Sequence, residues 1–388
     1  MNDVNLSPWD TALRIHEYSE PGSSEFKSSE LLINILRYKG FNVIDHYLGI
    51  ETAFRATKKV GSGKPSVAFL AEYDALPGIG HACGHNLIAS AAAFSAIRTA
   101  EIISNGTVNV IGTPDEEGTG RWSGSKIIMA EKGAFKDINL VLGSHPSDEW
   151  SVGRRSLLVR DYAVEFKGFS SHEAASPELG RSALDAAILT YTAVNMLRQH
   201  VRRDANVVMH GIIKEGGKAS NVTPDRSLLT YGIRSSDPDY HGTIVEKFRT
   251  IVDGCAKATF TDYEIREIGP LFSITKINPT LSNYIRNKLI ERTVACPTLQ
   301  ETWSLPPGGS TDFANVSQVV PALELDFQVA RRGTPWHSNE SLKAAISDMA
   351  RKSLNIVIRV LSETAKYFTD SEEFRDNIRR DFIDDPMK

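Results

Sequence analysis

The sequence predicts an α/β fold: a larger domain with a mixed, mainly parallel sheet flanked by helices, interrupted by a smaller ferredoxin-like α+β domain. Three observations lead there. Near-continuous apolar runs such as Ser66–Ala71 alternate with helical patterns up to about Gly143, the rhythm of parallel strands buried on both faces. From about Leu157 the texture changes to half-exposed strands and helices in the order β-α-β-β-α-β. Finally, 388 residues are too many for one ordinary core. The boundaries read as 1–156 together with 272–388 for the larger domain, and 157–271 for the insertion.

In order along the chain, Trp9, Leu13 and Ile15, then Leu31, Leu32, Ile35 and Leu36, repeat at helical spacing, and Gly40 ends the second run. Phe41–Ile44, Thr52–Ala56 and Ser66–Ala71 read as strands. An Ala-rich helix is expected from about Leu87 to Ile103, then strands at Val108–Gly112 and Leu140–Gly143. In the insertion, Tyr162–Phe166 alternates as a strand and a helix follows over Ala183–His200. Strands near Val207–Gly211 and Leu228–Ile233, a helix around Ile244–Ala258 and a strand toward Ile268 complete it. The helix-rich pattern resumes after Thr275 and ends in a helix near Ser341–Thr364. Glu372–Lys388 is charged and reads as a mobile tail.

Composition is that of an ordinary globular protein, 41% hydrophobic and 24% charged. A net charge of -4 gives no reason to expect nucleic acid or an anionic membrane as partner. The first residues carry neither a basic n-region nor an apolar h-region, and no apolar run is long enough to span a bilayer. Three scattered cysteines, Cys83, Cys255 and Cys296, make no disulfide framework, so a reducing, cytoplasmic setting is expected.

His81-Ala82-Cys83-Gly84-His85-Asn86 is the most informative stretch. Thiolate and neutral imidazole are preferred ligands of zinc and related ions, and Gly84 lets the backbone turn tightly enough for Cys83 and His85 to converge. Alone, the stretch would read as a free cysteine beside surface histidines. Three further clusters change that: Glu116-Glu117 in Gly-Thr-Pro-Asp-Glu-Glu-Gly, His145 in Gly-Ser-His-Pro, and His337 in Gly-Thr-Pro-Trp-His-Ser. Together they supply the ligands of a dinuclear metal site and a spare carboxylate. The first three groups each follow a predicted strand, and functional groups in open α/β sheets gather beyond the carboxyl ends of the strands. Groups placed there can meet in space although distant in sequence.

These residues resemble the dinuclear-metal amidohydrolases and carboxypeptidases of the aminoacylase and glutamate-carboxypeptidase superfamily, and more narrowly the branch with a Cys-Gly-His metal motif. The likeness covers nearly the whole chain, through Ala71–Asn86, Gly112–Gly118, Gly143–Pro146, Ser171–Pro177, Gly216–Pro224, Gly309–Ser317 and Gly333–Ser338. Hippurate- and auxin-conjugate-type members usually carry Asp after Cys-Gly-His, where this chain has Asn86. The Ser-Thr-Asp segment looks more like the aminobenzoyl-glutamate hydrolase and β-alanyl-dipeptidase sub-branch.

The resemblance implies Cys83, His85, Glu117, His145 and His337 as ligands of two divalent ions, zinc, manganese or cobalt. Chemistry agrees, since carboxylate, imidazole and a bridging-capable thiolate suit those ions. Adjacent glutamates rarely both bind one ion, so Glu116 is left as general base. Asp74 becomes an outer carboxylate orienting a ligand, against a plain turn-forming role before Leu-Pro. His81 belongs to the motif without being a usual ligand. In the insertion, His172 resembles a lid histidine that reaches a second subunit's site and stabilises the oxyanion. Asn221 and Arg234 match positions that grip a substrate carboxylate, although Arg234 reads almost as well as a sheet-edge ion pair. Gly309 lies in a loop able to approach the substrate closely. Asp115 and Arg121-Trp122-Ser123 receive no role.

The resulting expectation is a cytoplasmic homodimer whose catalytic domain cleaves an amide bond in a small N-acyl amino acid or dipeptide with a free carboxylate, under an inserted lid and dimerisation domain. Two other classes compete: a cysteine hydrolase using Cys83, and a non-catalytic metal-dependent binding protein. The first would leave Glu117, His145 and His337 without a purpose, and the second has no need of a base at Glu116.

Overall fold

A computed structural model describes residues 3–385. Contacts divide the chain into two compact units: 1–155 with 275–305 and 311–388, and 156–274 with 306–310. In chain order the first unit opens with helices α1 (Pro8–Tyr18) and α2 (Phe26–Tyr38), then strands β1 (Asn42–Asp45), β2 (Phe54–Val60) and β3 (Ser66–Ala71). Helix α3 (His85–Ile102), β4 (Gly106–Gly112), α4 (Ser125–Glu131), β5 (Leu140–Ser147) and β6 (Ser151–Val152) follow. The second unit contains β7 (Leu158–Lys167), α5 (Ala183–Leu197), β8 (Val208–Glu215), β9 (Arg226–Ser235), α6 (Pro238–Thr259) and β10 (Asp262–Phe272). The chain then supplies α7 (Pro279–Ile290), α8 (Leu299–Ser304), α9 (Phe313–Val319), β11 (Ala322–Gln328), α10 (Asn339–Ala344), α11 (Asp348–Asp370) and α12 (Glu372–Asp384) to the first.

The first unit's sheet has the order β1-β2-β4-β3-β5-β11-β6. Its four central strands are parallel, while β1, β2 and β6 join antiparallel at the two sides. Every residue of β3 is buried, as an unbroken apolar run between two parallel neighbours requires. Each face has its own apolar core. Leu87, Ala91, Leu354 and Leu361 cover Val67, Phe69, Leu142 and Leu325 on one side, while Met129, Phe313 and Val316 cover Ala68, Leu70 and Val141 on the other. Helix starts follow local chemistry: Ser7 before Pro8, Asp237 before Pro238 and Asn278 before Pro279 each cap an amide with a side-chain oxygen.

The second unit is a four-stranded antiparallel sheet, β10-β7-β9-β8. Alternate residues Tyr162, Val164, Phe166, Leu229, Tyr231 and Ile233 bury one face against Ala187, Val194, Phe248 and Val252 of α5 and α6.

Three expectations change. Glu372–Lys388 is no mobile tail over its described part. It forms α12, because Phe374 and Ile378, four residues apart, bury one side against the first unit. Its last residues, Pro386 to Lys388, lie outside the described residues. His145 lies inside β5 rather than beyond it, since β5 stays paired with β11 as far as Ser147. Pro306–Ser310, read with the larger domain, groups with the second unit, where Leu157 N donates to Gly309 O at 3.0 Å and Arg234 Nη1 to Ser310 Oγ at 2.9 Å.

Candidate metal centre

Strand β3 ends at Ala71 and delivers Glu72 and Asp74, both buried, to the carboxyl edge of the sheet. The chain then folds on itself, Leu76 N donating to Gly80 O at 3.0 Å, and re-enters as Cys83-Gly84 at the start of α3. Gly84 has φ +79, and a Cβ there would sit 2.7 Å from Pro146 Cγ. Both facts demand glycine, and the close approach brings Cys83 beside His145: Sγ to Nε2 is 3.5 Å.

Strand β4 delivers the glutamates. Its extension is tied down by Thr113 N donating to Ala71 O at 2.8 Å. Buried Asp115, at φ +60, then turns the chain. Its amide donates to Glu25 Oε1 at 2.9 Å, and its carboxylate accepts from Ser23 Oγ, Gly120 N and Trp122 N at 2.7, 2.9 and 2.9 Å. Asp115, without a role in the sequence, thus fixes the loop that presents Glu116 and Glu117. Glu117 N in turn donates to Asp74 Oδ2 at 2.9 Å.

These elements bring one set of donors together. His85 Nε2 lies 3.5 Å from Glu72 Oε2, 3.7 Å from Glu116 Oε2 and 3.9 Å from Glu117 Oε1. His337 Nε2 lies 3.6 Å from Glu117 Oε1. His337 is half exposed and has φ +58, a conformation unfavourable to a side chain and typical of strained functional positions. Hydrogen bonds at the other ring nitrogens orient two histidines: His85 Nδ1 meets Asp74 Oδ1 at 2.9 Å, and His145 Nδ1 meets Pro146 O at 2.8 Å. Each donates from Nδ1 and turns Nε2 toward the cluster.

The residues fit divalent cations. Three buried donor atoms, His85 Nε2, Glu72 Oε2 and Glu117 Oε1, have no hydrogen-bond partner, which is costly unless something else satisfies them. Charge gives the same answer. Burial works against a charge on His85, but adjacent Asp74 and Cys83 outweigh it and hold its pKa well above the ordinary value. Burial and the neighbouring Glu72 carboxylate push Glu116 well up. Burial opposes ionisation of Asp74 too, yet His85 and the Glu117 amide hold it at about 2. Burial pushes the Cys83 thiol up to about 12, the reverse of the electropositive setting an activated cysteine nucleophile needs. A coordinating cation answers both problems, neutralising surplus carboxylates and deprotonating a thiol outright.

His81 stands apart. Its Nε2 meets Ile15 O at 3.1 Å, and burial lowers its pKa to about 3, so it is a neutral tie to α1. Sequence reasoning misses Glu72, Lys126 and Asp312. Lys126 Nζ, fully buried, pairs with Glu72 Oε1 at 2.9 Å and with Asp312 Oδ1. Glu72 is legible in principle, lying two residues before Asp74 at a strand end. Lys126 gives no signal, because a lysine in an apolar helix reads as surface.

The remaining candidates belong to the second unit. His172 is exposed and bridges Val222, next to Asn221, whose carbonyl accepts from Glu173 N at 3.1 Å. Arg234 is not a sheet-edge ion pair: β9 is an inner strand, and Arg234 donates to His210 Nε2 at 3.3 Å and to Ser310 Oγ. Gly309 is exposed, with open space where a Cβ would sit.

Fold and site together define a metal-dependent hydrolase of amide or peptide bonds. The chain belongs to peptidase family M20/M25/M40, whose model matches residues 68–379. It is 34% identical over 352 residues to the Xaa-Arg dipeptidase of Mus musculus, covering 87% of this chain and 79% of that one. It is 33% identical over 336 residues to a subunit of the p-aminobenzoyl-glutamate hydrolase of Escherichia coli (strain K12), covering 81% of this chain and 66% of that one. Its fold matches a dinuclear metal-binding M20 peptidase of Bacillus subtilis with a TM-score of 0.72 at 18% identity, over 94% of this chain and 98% of that one. The protein binds divalent metal and is an enzyme. Among the described residues, no helix is long and apolar enough to cross a membrane.

Proposed function

We propose that the protein is a cytoplasmic two-metal dipeptidase or N-acyl amino acid hydrolase acting on small substrates with a free carboxylate. The observation that carries this reading is the convergence of unpartnered buried donors around His85. Cys83, His85, Glu117, His145 and His337 would hold two ions, zinc, manganese or cobalt. When bound, the ions supply Lewis acidity toward the scissile carbonyl and make water more acidic.

The protein's own groups do the rest. Asp74 holds the His85 ring so that Nε2 faces the ions. Glu116, ionised once the ions offset the neighbouring carboxylates, takes a proton from the attacking water and returns it to the leaving amine. The second unit is read as the lid and dimerisation domain. Within it, His172 donates to the developing oxyanion, Asn221 and Arg234 bind the substrate carboxylate, and Gly309 admits the substrate backbone. Arg234 already donates to two neutral acceptors and presents a planar fork suited to that task. A homodimer is supported by exposed apolar residues Ile188, Leu189, Tyr191 and Met196 on α5 and Ile212 on the edge strand β8.

The relatives named for Xaa-Arg dipeptides and for p-aminobenzoyl-glutamate bracket the substrate. Both compounds join an amide to an amino acid with a free carboxylate. Assaying metal-loaded protein against Xaa-Arg dipeptides, p-aminobenzoyl-glutamate and N-acyl amino acids tests the reading. Turnover of at least one class is expected, with loss of activity when the terminal carboxylate is amidated. Equal turnover of the amidated compounds would remove the carboxylate-binding role of Asn221 and Arg234.

A further inference from the structure

We propose that Glu72 is a sixth protein ligand of the metal centre, with Lys126 as the positioning residue that aims it. The proposal rests on the reading of Cys83, His85, Glu117, His145 and His337 as ligands, and adds a donor to that set. Glu72 has 2% of its surface exposed, and its two oxygens have different surroundings. Oε1 is 2.9 Å from Lys126 Nζ. Oε2 has no hydrogen-bond partner and faces His85 Nε2, also unpartnered, at 3.5 Å.

A direct hydrogen bond does not account for that pair. At 3.5 Å the two atoms are too far apart for a good charge-assisted bond, and His85 is already held through Nδ1 by Asp74 at 2.9 Å. A shared cation accounts for it. Two donors each about 2.0–2.2 Å from one tetrahedral ion stand about 3.4 Å apart, close to the separation observed. Glu116 Oε2 completes a group whose donor atoms lie within 4.8 Å of one another.

The support behind Glu72 is equally defined. Lys126 is fully buried and sits between Glu72 and Asp312, whose other oxygen accepts from Lys126 N at 3.1 Å. Gly143 keeps this side of the sheet closely covered: a Cβ there would lie 2.6 Å from Phe313 Cε2, next to Asp312. An ammonium locked in this way fixes one oxygen of Glu72 and leaves the other directed at His85. Lys126 therefore acts on the metal only through Glu72.

Crystallography of zinc-loaded wild-type protein tests this directly, with cobalt titration of Glu72→Gln and Lys126→Met by chelator competition. Glu72 Oε2 is expected in the coordination shell of the ion on His85, at about 2.0–2.2 Å. Glu72→Gln is expected to weaken one of the two ions at least about 10-fold and to change the visible spectrum of bound cobalt. Lys126→Met should weaken the same ion by less. Ions seated on the five ligands with Glu72 Oε2 beyond about 3 Å, or an unchanged cobalt spectrum in a folded Glu72→Gln variant, overturn the proposal alone. Ions absent from those five residues in wild type overturn the underlying reading instead. The wild-type structure decides even if a variant does not fold.

Discussion

Glu116 and Glu117 are neighbours in sequence, yet their surroundings differ. Glu117 is held by Asp74 through its amide and faces both His85 and His337, whereas Glu116 faces His85 on the side of Glu72 and makes no such contact with His337 among the described residues. Glu116→Gln is therefore expected to keep metal and lose at least about 100-fold in turnover, because an amide cannot take the proton. Glu117→Gln should lower metal occupancy as well. Elemental analysis with the opposite outcome reverses the two roles. A second residue has a pH signature. Burial, then the nearby Asp74 charge, raises the Glu25 carboxyl from 4.5 to about 7. A raised folded-state pKa means stability fully present below the unfolded value and lost as pH climbs from about 4.5 to 7. The loss is about 3 kcal/mol at its upper limit. Glu25→Gln mimics the neutral form, so its melting temperature should gain on wild type between pH 5 and pH 8. A constant difference across that range would show that Glu25 does not titrate there.

At the scale of elements, α12 shows where sequence patterning is easily underread. Its charge density suggests a tail, but Phe374 completes an aromatic cluster, 4.9 Å from Tyr284 and 4.8 Å from Tyr367 between ring centroids. Phe374→Ala should destabilise the first unit by about 3 kcal/mol, the usual scale for an emptied aromatic site. Unchanged thermal stability would mean that α12 is peripheral after all. The β-rich elements are far more legible. β3 is readable to the residue, because an apolar run between a turn and an acidic pair has one reading. The strand signal of β5 stops at Gly143, since Ser-His-Pro carries none and only pairing with β11 extends it. The convergence of Cys83, His85, Glu117, His145 and His337, proposed above as ligands, is legible because few structural roles require those residue types in those motifs. Lys126 and Asp312 are not, because a buried ion pair is created by tertiary packing of α4 against the start of α9. Asp115 is hidden for a similar reason: its partners Ser23 and Glu25 lie about ninety residues away.

For the whole molecule, the parallel strands β4, β3 and β5 explain why chemistry scattered over the sequence becomes local. Each delivers groups to the same edge, and the Gly84 and Asp115 turns aim them inward. The central claim is that this edge is a metal centre on which amide hydrolysis depends. Metal content and peptidase activity measured together on one preparation, through chelation and stepwise zinc or manganese addition, test it most directly. Two ions per chain are expected in the active protein, with activity abolished on their removal and regained in step with reloading, and no reloading when His85 is replaced by Ala. Full activity in metal-free protein would contradict it.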